Sequence, residues 1–199
     1  MEKLSALSDE QLVSLYREGN NEAFDALLAH NQRRVFQYIC FMTGDRDVAD
    51  DVFQDTFVKA IMAIRDGRYQ ENGQFCAWLL RIARNLILDR QRSLRSSRTV
   101  SGELLGKDGE AKGDLLSNCA LEEPNAEEEM VLSQTLSDAR RMVDRLPEAQ
   151  REVVVLRFFE DMSFKEIASL TNVSINTALG RMRYAMINLR RMYASSTAL

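Results

Sequence analysis

Ser163–Arg191, SFKEIASLTNVSINTALGRMRYAMINLRR, decides how the whole chain is read. Its period is that of two short helices with a break at Thr171-Asn172-Val173. Ser163-Phe164-Lys165-Glu166 has the form of a capping box, in which a Ser hydroxyl meets an orphan N–H and the Glu reaches back. Ile167, Ala168 and Leu170 supply a buried stripe. Asn172 tolerates the left-handed backbone that a tight turn needs. Ser174 can cap a second helix, in which Ile175, Ala178, Met182, Ala185 and Leu189 fall on one side. Asn176, Thr177, Leu179, Gly180, Arg181, Arg183 and Tyr184 are left on the other. Helix, tight turn, and a polar, cationic second helix is how a protein offers side chains to a major groove. An ordinary helical hairpin with a solvated face would share the period.

Charge has to be read locally. The 199-residue chain carries a net charge of −4, which argues against nucleic acid until its distribution is seen. Phe75–Arg98 holds six arginines against Asp89, a local +5. Ser163–Leu199 holds five basic residues against Glu166, a local +4. Thr99–Asp138 holds two lysines against ten acids, a local −8. Two basic stretches separated by an acidic one suit phosphate contacts at two places.

Two prolines and nine glycines leave long helices open almost everywhere, and no strand-and-turn pattern repeats. The fold class expected is all-α: two helical domains joined by a flexible acidic linker. Ser8-Asp9-Glu10-Gln11 opens a short helix with Leu12, Leu15 and Tyr16 inward, stopped at Gly19. A longer helix from Glu22 carries Phe24, Leu27, Leu28, Val35, Phe36 and Ile39 along one side. A third, from about Asp47 to Ile64, turns Val48, Val52, Phe57, Ala60, Ile61 and Ile64 inward and leaves Asp50, Asp51, Gln54, Asp55 and Lys59 outside. That acidic edge is in part explained by the helix dipole, and it also suits a basic partner. Arg65–Gln74, RDGRYQENGQ, reads as a polar loop. A basic helix follows, with Phe75, Trp78, Leu79, Ile82 and Leu86 inward. Tyr69, Gln70 and Asn72 directly before it make a loop able to stack on an unpaired base and bond its edge. Arg84, Asn85 and Arg92 lie on the helix surface beyond it.

From Ser96 to Pro124 the periodicity stops, and glycines and acids take over. This sets the expected boundaries: a first domain over 1–97, the linker over 98–125, and a second domain over 126–199. The second domain begins with a helix over Ala126–Leu146. Pro147 then suits the first position of a helix EAQREVVVLRFFE, whose core is Val153, Val154, Leu156 and Phe158 or Phe159.

Chemistry of other kinds finds little support. Cys40, Cys76 and Cys119 are odd in number and widely spaced, which argues against a zinc site or a disulfide framework. His30 is the only histidine and has no partner set for a metal or a general base. No nucleophile–base pair or glycine-rich phosphate loop appears, so neither an enzyme, a metal nor a cofactor is expected. No apolar run approaches the length needed for membrane insertion, and the N-terminus MEKLSALSDEQL lacks a signal core, which makes a cytoplasmic location the expectation.

Three stretches in this order resemble the extracytoplasmic-function (group 4) RNA polymerase sigma factors of the sigma-70 family. ADDVFQDTF (Ala49–Phe57) resembles the core-binding helix, and FCAWLLRIARNLILDRQR (Phe75–Arg92) the helix for the minus-ten element. LPEAQREVVVLRFFEDMSFKEIASLTNVSINTALGRMR (Leu146–Arg183) resembles the four-helix domain for the minus-thirty-five element. The resemblance implies a promoter-specificity subunit that binds core RNA polymerase and promoter DNA. Asp51, Gln54 and Asp55 would dock on the clamp helices of the largest subunit, and the flap of the second-largest subunit is a further implied contact. The Tyr69–Gln74 loop would hold a flipped non-template base, with Arg84, Asn85 and Arg92 beside that strand. Leu179, Gly180, Arg183 and Tyr184 would face base edges, and Asn176, Thr177 and Arg181 phosphates. An anti-sigma partner is implied as well. Leu179 and Gly180 depart from the basic residue and Ser common in the family, so the promoter sequence cannot be carried over. A stand-alone regulator and a helical adaptor are the rivals. The first would need a dimerising face and a sensor domain, and the second leaves the arginines idle.

Overall fold

The structure is a computed structural model that describes residues 4–70, 73–100 and 139–196, and every regular element among them is an α-helix. The chain falls into two compact units, Met1–Ile39 with Asp47–Ala111 and Cys40–Arg46 with Lys112–Leu199.

Four helices make up the first part of the chain: α1 (Asp9–Arg17), α2 (Glu22–Thr43), α3 (Arg46–Arg65) and α4 (Phe75–Val100). The Ser8 capping box opens α1, with the Ser8 N–H on Gln11 Oε1 at 3.0 Å and the Gln11 N–H on Ser8 Oγ at 3.4 Å. Gly19, at φ +99°, supplies the left-handed backbone that lets the chain turn into α2. Aromatic rings then tie three helices together. Tyr16 meets Phe24 at 5.3 Å, Phe24 meets Phe57 at 6.4 Å, Phe57 meets Phe53 at 4.8 Å, and Phe53 meets Phe36 at 5.5 Å. Edge and tilted ring pairs of this kind add about 0.5–1.5 kcal/mol each beyond the area they bury.

Helix α4 buries Phe75, Leu79, Leu80, Ala83 and Ile87. Trp78, Ile82 and Leu86, expected inside, are only half-buried. The helix has apolar residues on two adjoining stripes, and the one through Leu79, Ala83 and Ile87 takes the centre of the contact. Similar small rotations put Val13 rather than Leu15 in the core from α1, and Ala49 and Thr56 rather than Val48 and Ile61 from α3. Thr56 is tolerated there because its hydroxyl donates to the Val52 carbonyl at 2.7 Å.

The second unit contains a helical turn over residues 139–144 (α5), then α6 (Glu148–Phe158), α7 (Phe164–Thr171) and α8 (Ile175–Ser196). Helix α8 packs on both α6 and α7, which also touch each other. Val153, Val154, Val155, Leu156, Ile167, Ala168, Leu170, Ala178 and Ala185 form the core. Val-Val-Val is thus helical, as its place after Pro147 requires. The structure corrects three expectations. Pro147 is the N-cap of α6 rather than its first helical residue. Phe158 and Phe159 are 61% and 37% exposed, because α6 ends at Phe158 and Met162 closes the core in their place. Ile175 is 47% exposed, since the first turn of α8 stands ahead of the residues that meet α6 and α7. The expected linker and most of the helix expected over Ala126–Leu146 lie outside the described residues, although α4 itself runs on to Val100.

Candidate nucleic-acid and partner interfaces

The α7–turn–α8 element is locked by local bonds as well as by packing. The Ser163 N–H donates to Glu166 Oε2 at 2.8 Å, and the Glu166 N–H donates to Ser163 Oγ at 3.3 Å. The Ser163 hydroxyl and N–H together hold the Glu166 carboxyl below the usual carboxylate range, against a smaller opposing effect of burial. Asn172 ends α7 at φ 55°, ψ 48°, the left-handed turn its identity suggests. Ser174 Oγ accepts from the Thr177 N–H at 3.0 Å and caps α8. Thr171, buried, donates its hydroxyl to the Ile167 carbonyl at 2.7 Å.

This frame leaves one face of α8 outside. Ala178 and Ala185 are fully buried. Asn176, Thr177, Leu179 and Tyr184 are exposed on the opposite side. Gly180, Arg181 and Arg183 lie along the same helix, which carries them past the turn. A Cβ added at Gly180 would meet nothing within 4 Å, so that position is open to an approaching partner. The Thr177 hydroxyl sits 2.8 Å from Ser174 Oγ, which ties its side chain to the cap. The face combines two cations with apolar Leu179 and an amphipathic Tyr184. It can meet phosphates electrostatically and base edges by contact.

In the first unit, Asp51, Gln54 and Asp55 all lie on α3, with Asp51 and Asp55 at its solvent edge. Asp51 Oδ2 lies 3.3 Å from Arg90 Nη1 of α4, with both side chains well exposed. Val58 and Met62 are also exposed, at 49% and 56%. Positions 51, 55, 58 and 62 follow helical spacing and form one stripe, acidic at the start of the helix and apolar toward its end. Val58 and Met62 were legible in principle as apolar residues left over once the inward stripe of α3 is assigned.

Placement of the expected minus-ten residues is mixed. Gln70, Asn85 and Arg92 are exposed and Arg84 is half-buried. Arg92 Nη1 lies 3.2 Å from Asp89 Oδ1, both largely in solvent. Asn72 lies outside the described residues. Tyr69 differs from expectation: only 2% exposed, it packs on Trp78 at 4.5 Å and Phe75 at 5.4 Å. Its ring is taken up by the fold and has no face open for a base to stack on. The Tyr69 carbonyl accepts from Arg17 Nη2 at 2.5 Å. Among the described residues no three His, Cys, Asp or Glu side chains gather to hold a metal, and no helix is long and apolar enough to cross a membrane.

A helix-turn-helix with a cationic outward face, and a separate bundle with an acidic-apolar edge and a basic helix, define a two-part protein built to hold DNA and a protein partner together. Comparison with known proteins gives that class its family. The model of sigma-70 region 2 matches residues 27–97, and that of sigma-70 region 4 matches residues 136–183. The RNA polymerase sigma factor CnrH of Cupriavidus metallidurans is 31% identical over 183 residues, covering 92% of each chain. The ECF RNA polymerase sigma factor SigW of Bacillus subtilis is 25% identical over 179 residues, 90% of this chain and 93% of that one. Among solved structures, the sigma factor RpoE in complex with the anti-sigma factor NepR from Bartonella quintana shares the fold. It has a TM-score of 0.65 at 20% identity, over 86% of this chain and 96% of that one. CnrH in complex with the cytosolic domain of CnrY gives a TM-score of 0.62 at 24% identity, over 94% and 97%.

The chain belongs to the extracytoplasmic-function sigma factors of the sigma-70 family. It is a promoter-specificity subunit that binds core RNA polymerase and directs transcription initiation.

Proposed function

We propose a division of labour over three segments, 1–97, 98–125 and 126–199. The first docks on the clamp helices of the largest polymerase subunit through Asp51, Gln54 and Asp55, with Val58 and Met62 extending the contact. Its Gln70 loop and the α4 surface at Arg84, Asn85 and Arg92 take the non-template strand of the minus-ten element and help melt it. Tyr69 serves as the anchor of that loop. The last segment reads the minus-thirty-five element with Leu179, Gly180, Arg183 and Tyr184 against bases and Asn176, Thr177 and Arg181 against phosphates, while it meets the flap of the second-largest subunit. The acidic middle segment threads the polymerase channel.

The observation that carries this reading is the α8 face: a capped helix, fixed by Ser174 and by the left-handed Asn172, that buries two alanines and presents Leu179 and Tyr184 outward. Leu179 can touch a thymine methyl but cannot make the bidentate guanine contact open to Arg. A thymine methyl opposite Leu179 is the base contact this position accommodates best. The protein performs no chemistry alone and works in the cytoplasm, where the polymerase is. An anti-sigma partner that covers these surfaces holds the protein inactive; the complex of RpoE with the anti-sigma factor NepR supports the existence of such a partner.

Transcription by core polymerase over pooled genomic fragments, with and without the protein at fixed salt, tests the reading. New starts sharing two spaced upstream elements support it. Operator binding by the protein alone, without new starts, refutes it.

A further inference from the structure

Tyr69 is held from three sides. Its N–H lies 3.3 Å from the carbonyl of Ala63, in the last turns of α3. Its ring is clasped by Phe75 and Trp78 of α4. Its carbonyl takes the Arg17 guanidinium from the end of α1. The bond from Arg17 has the longest reach, because the Tyr69 carbonyl and the Gln70 N–H share one planar peptide unit. Fixing the carbonyl fixes the direction in which the chain enters Gln70. Beyond the loop, α1 approaches again: a Cβ at Gly73, which has φ +71°, would lie 3.0 Å from Glu10 Oε1.

Helix α1 is itself bolted at both ends. Asp9 receives Asn31 Nδ2 at 3.0 Å and lies 3.0 Å from His30 Nδ1, both on α2. Tyr16 accepts Arg65 Nε at 3.0 Å, with the guanidinium 5.7 Å from its ring centre. A short helix tied this firmly to α2 and α3, and touching the loop on both flanks, has the form of a brace.

We infer that α1 positions the base-reading loop, and that Arg17 is a positioning residue for selection of the minus-ten element, acting through the Tyr69–Gln70 peptide. The inference rests on the proposed role of that loop. Arg17 is exposed and outside the apolar core, so its truncation opens no core cavity. Losing it lets the Tyr69 carbonyl rotate and broadens the placement of Gln70.

The test uses the full chain with core polymerase on a promoter pool randomised in both elements, comparing wild type, Arg17→Ala, Arg17→Lys and Gln70→Ala. Arg17→Ala is expected to reduce base discrimination in the downstream element by about tenfold, the scale of one charge-assisted hydrogen bond. It leaves upstream ranking and polymerase affinity unchanged. Arg17→Lys, which keeps one cationic donor, restores most of the discrimination. If Gln70→Ala flattens the ranking and Arg17→Ala does not, the brace is refuted and the loop's role stands. If neither changes it, the loop reading fails and the brace falls with it. An even loss over all promoters with ranking kept makes Arg17 a structural residue only, which also overturns the inference.

Discussion

Ser163→Ala tests how the DNA-facing element is held. The substitution removes the oxygen that accepts the Glu166 N–H at 3.3 Å and one of the two Ser163 groups that stabilise the Glu166 carboxylate. Loss of such a cap costs about 1 kcal/mol, within a range of about 0.5–2. The cost should depend on pH in a stated direction. The folded-state Glu166 carboxyl is held below its ordinary value, so its share of the stability is present above the unfolded-state value and is lost as pH falls through the folded one. The gap between wild type and Ser163→Ala is therefore full at pH 7 and narrows in the acidic range under about pH 4, near the ordinary glutamate value. A residue of the gap persists there, because the bond from the Glu166 N–H to the hydroxyl carries no titrating charge. Urea unfolding followed by far-ultraviolet circular dichroism at both pH values measures the gap. Trp78, the single tryptophan, belongs to the other unit, so its fluorescence transition reports on that unit separately. A gap that is absent at neutral pH, or that widens in acid, refutes the reasoning.

Three other outcomes follow from the site geometry. Arg183→Ala should relax preference at one or two upstream base pairs by about 1–3 kcal/mol; a uniform loss over all sequences makes it a phosphate contact instead. Gly180→Ala should raise thermal stability by about 0.5–1 kcal/mol, because Gly is costly inside a helix and the added methyl meets no neighbour; a destabilised variant would show that the position is not open. Asp51→Asn should change stability by less than about 0.5 kcal/mol, since its pair with Arg90 is solvated, yet weaken binding to core polymerase; unchanged affinity in a titration would remove Asp51 from the docking surface.

The second unit was the more legible of the two, and the reason is local. Its capping box, the Asn172 turn and the Ser174 cap are determined by residues a few positions apart, and all three appear in the structure, as does the Ser8 box of the first unit. The choice of helix centre line was not local. Leu79, Ala83 and Ile87 win over Trp78, Ile82 and Leu86 only because of what packs against α4. The same limit explains Tyr69. A polar loop with an aromatic looks like a stacking platform in sequence, but the burial of that ring depends on Phe75 and Trp78 closing over it. Phe158 and Phe159 fail for the opposite reason. They continue an apolar run, but Phe158 is the last residue of α6 and Phe159 its C-cap, and neither is buried in the core.

The sign of the whole chain is a poor guide to what its surfaces do. At physiological salt, charges in solvent act over about 8 Å, so a phosphate responds to the charges of the surface it touches, such as the +4 of Ser163–Leu199, more than to the net −4. Over longer distances the net −4 does count, and it works against free association with DNA. On the proposed reading, docking through the exposed acidic-apolar edge of α3 brings the chain close to promoter DNA first. Docking on polymerase then turns DNA recognition into an intramolecular step, in which each local basic face contributes without the cost of a separate encounter. Specificity can then rest on few contacts. The proposed reading face fits this, since it offers apolar Leu179 and Gly180 where a further basic side chain could bind guanine.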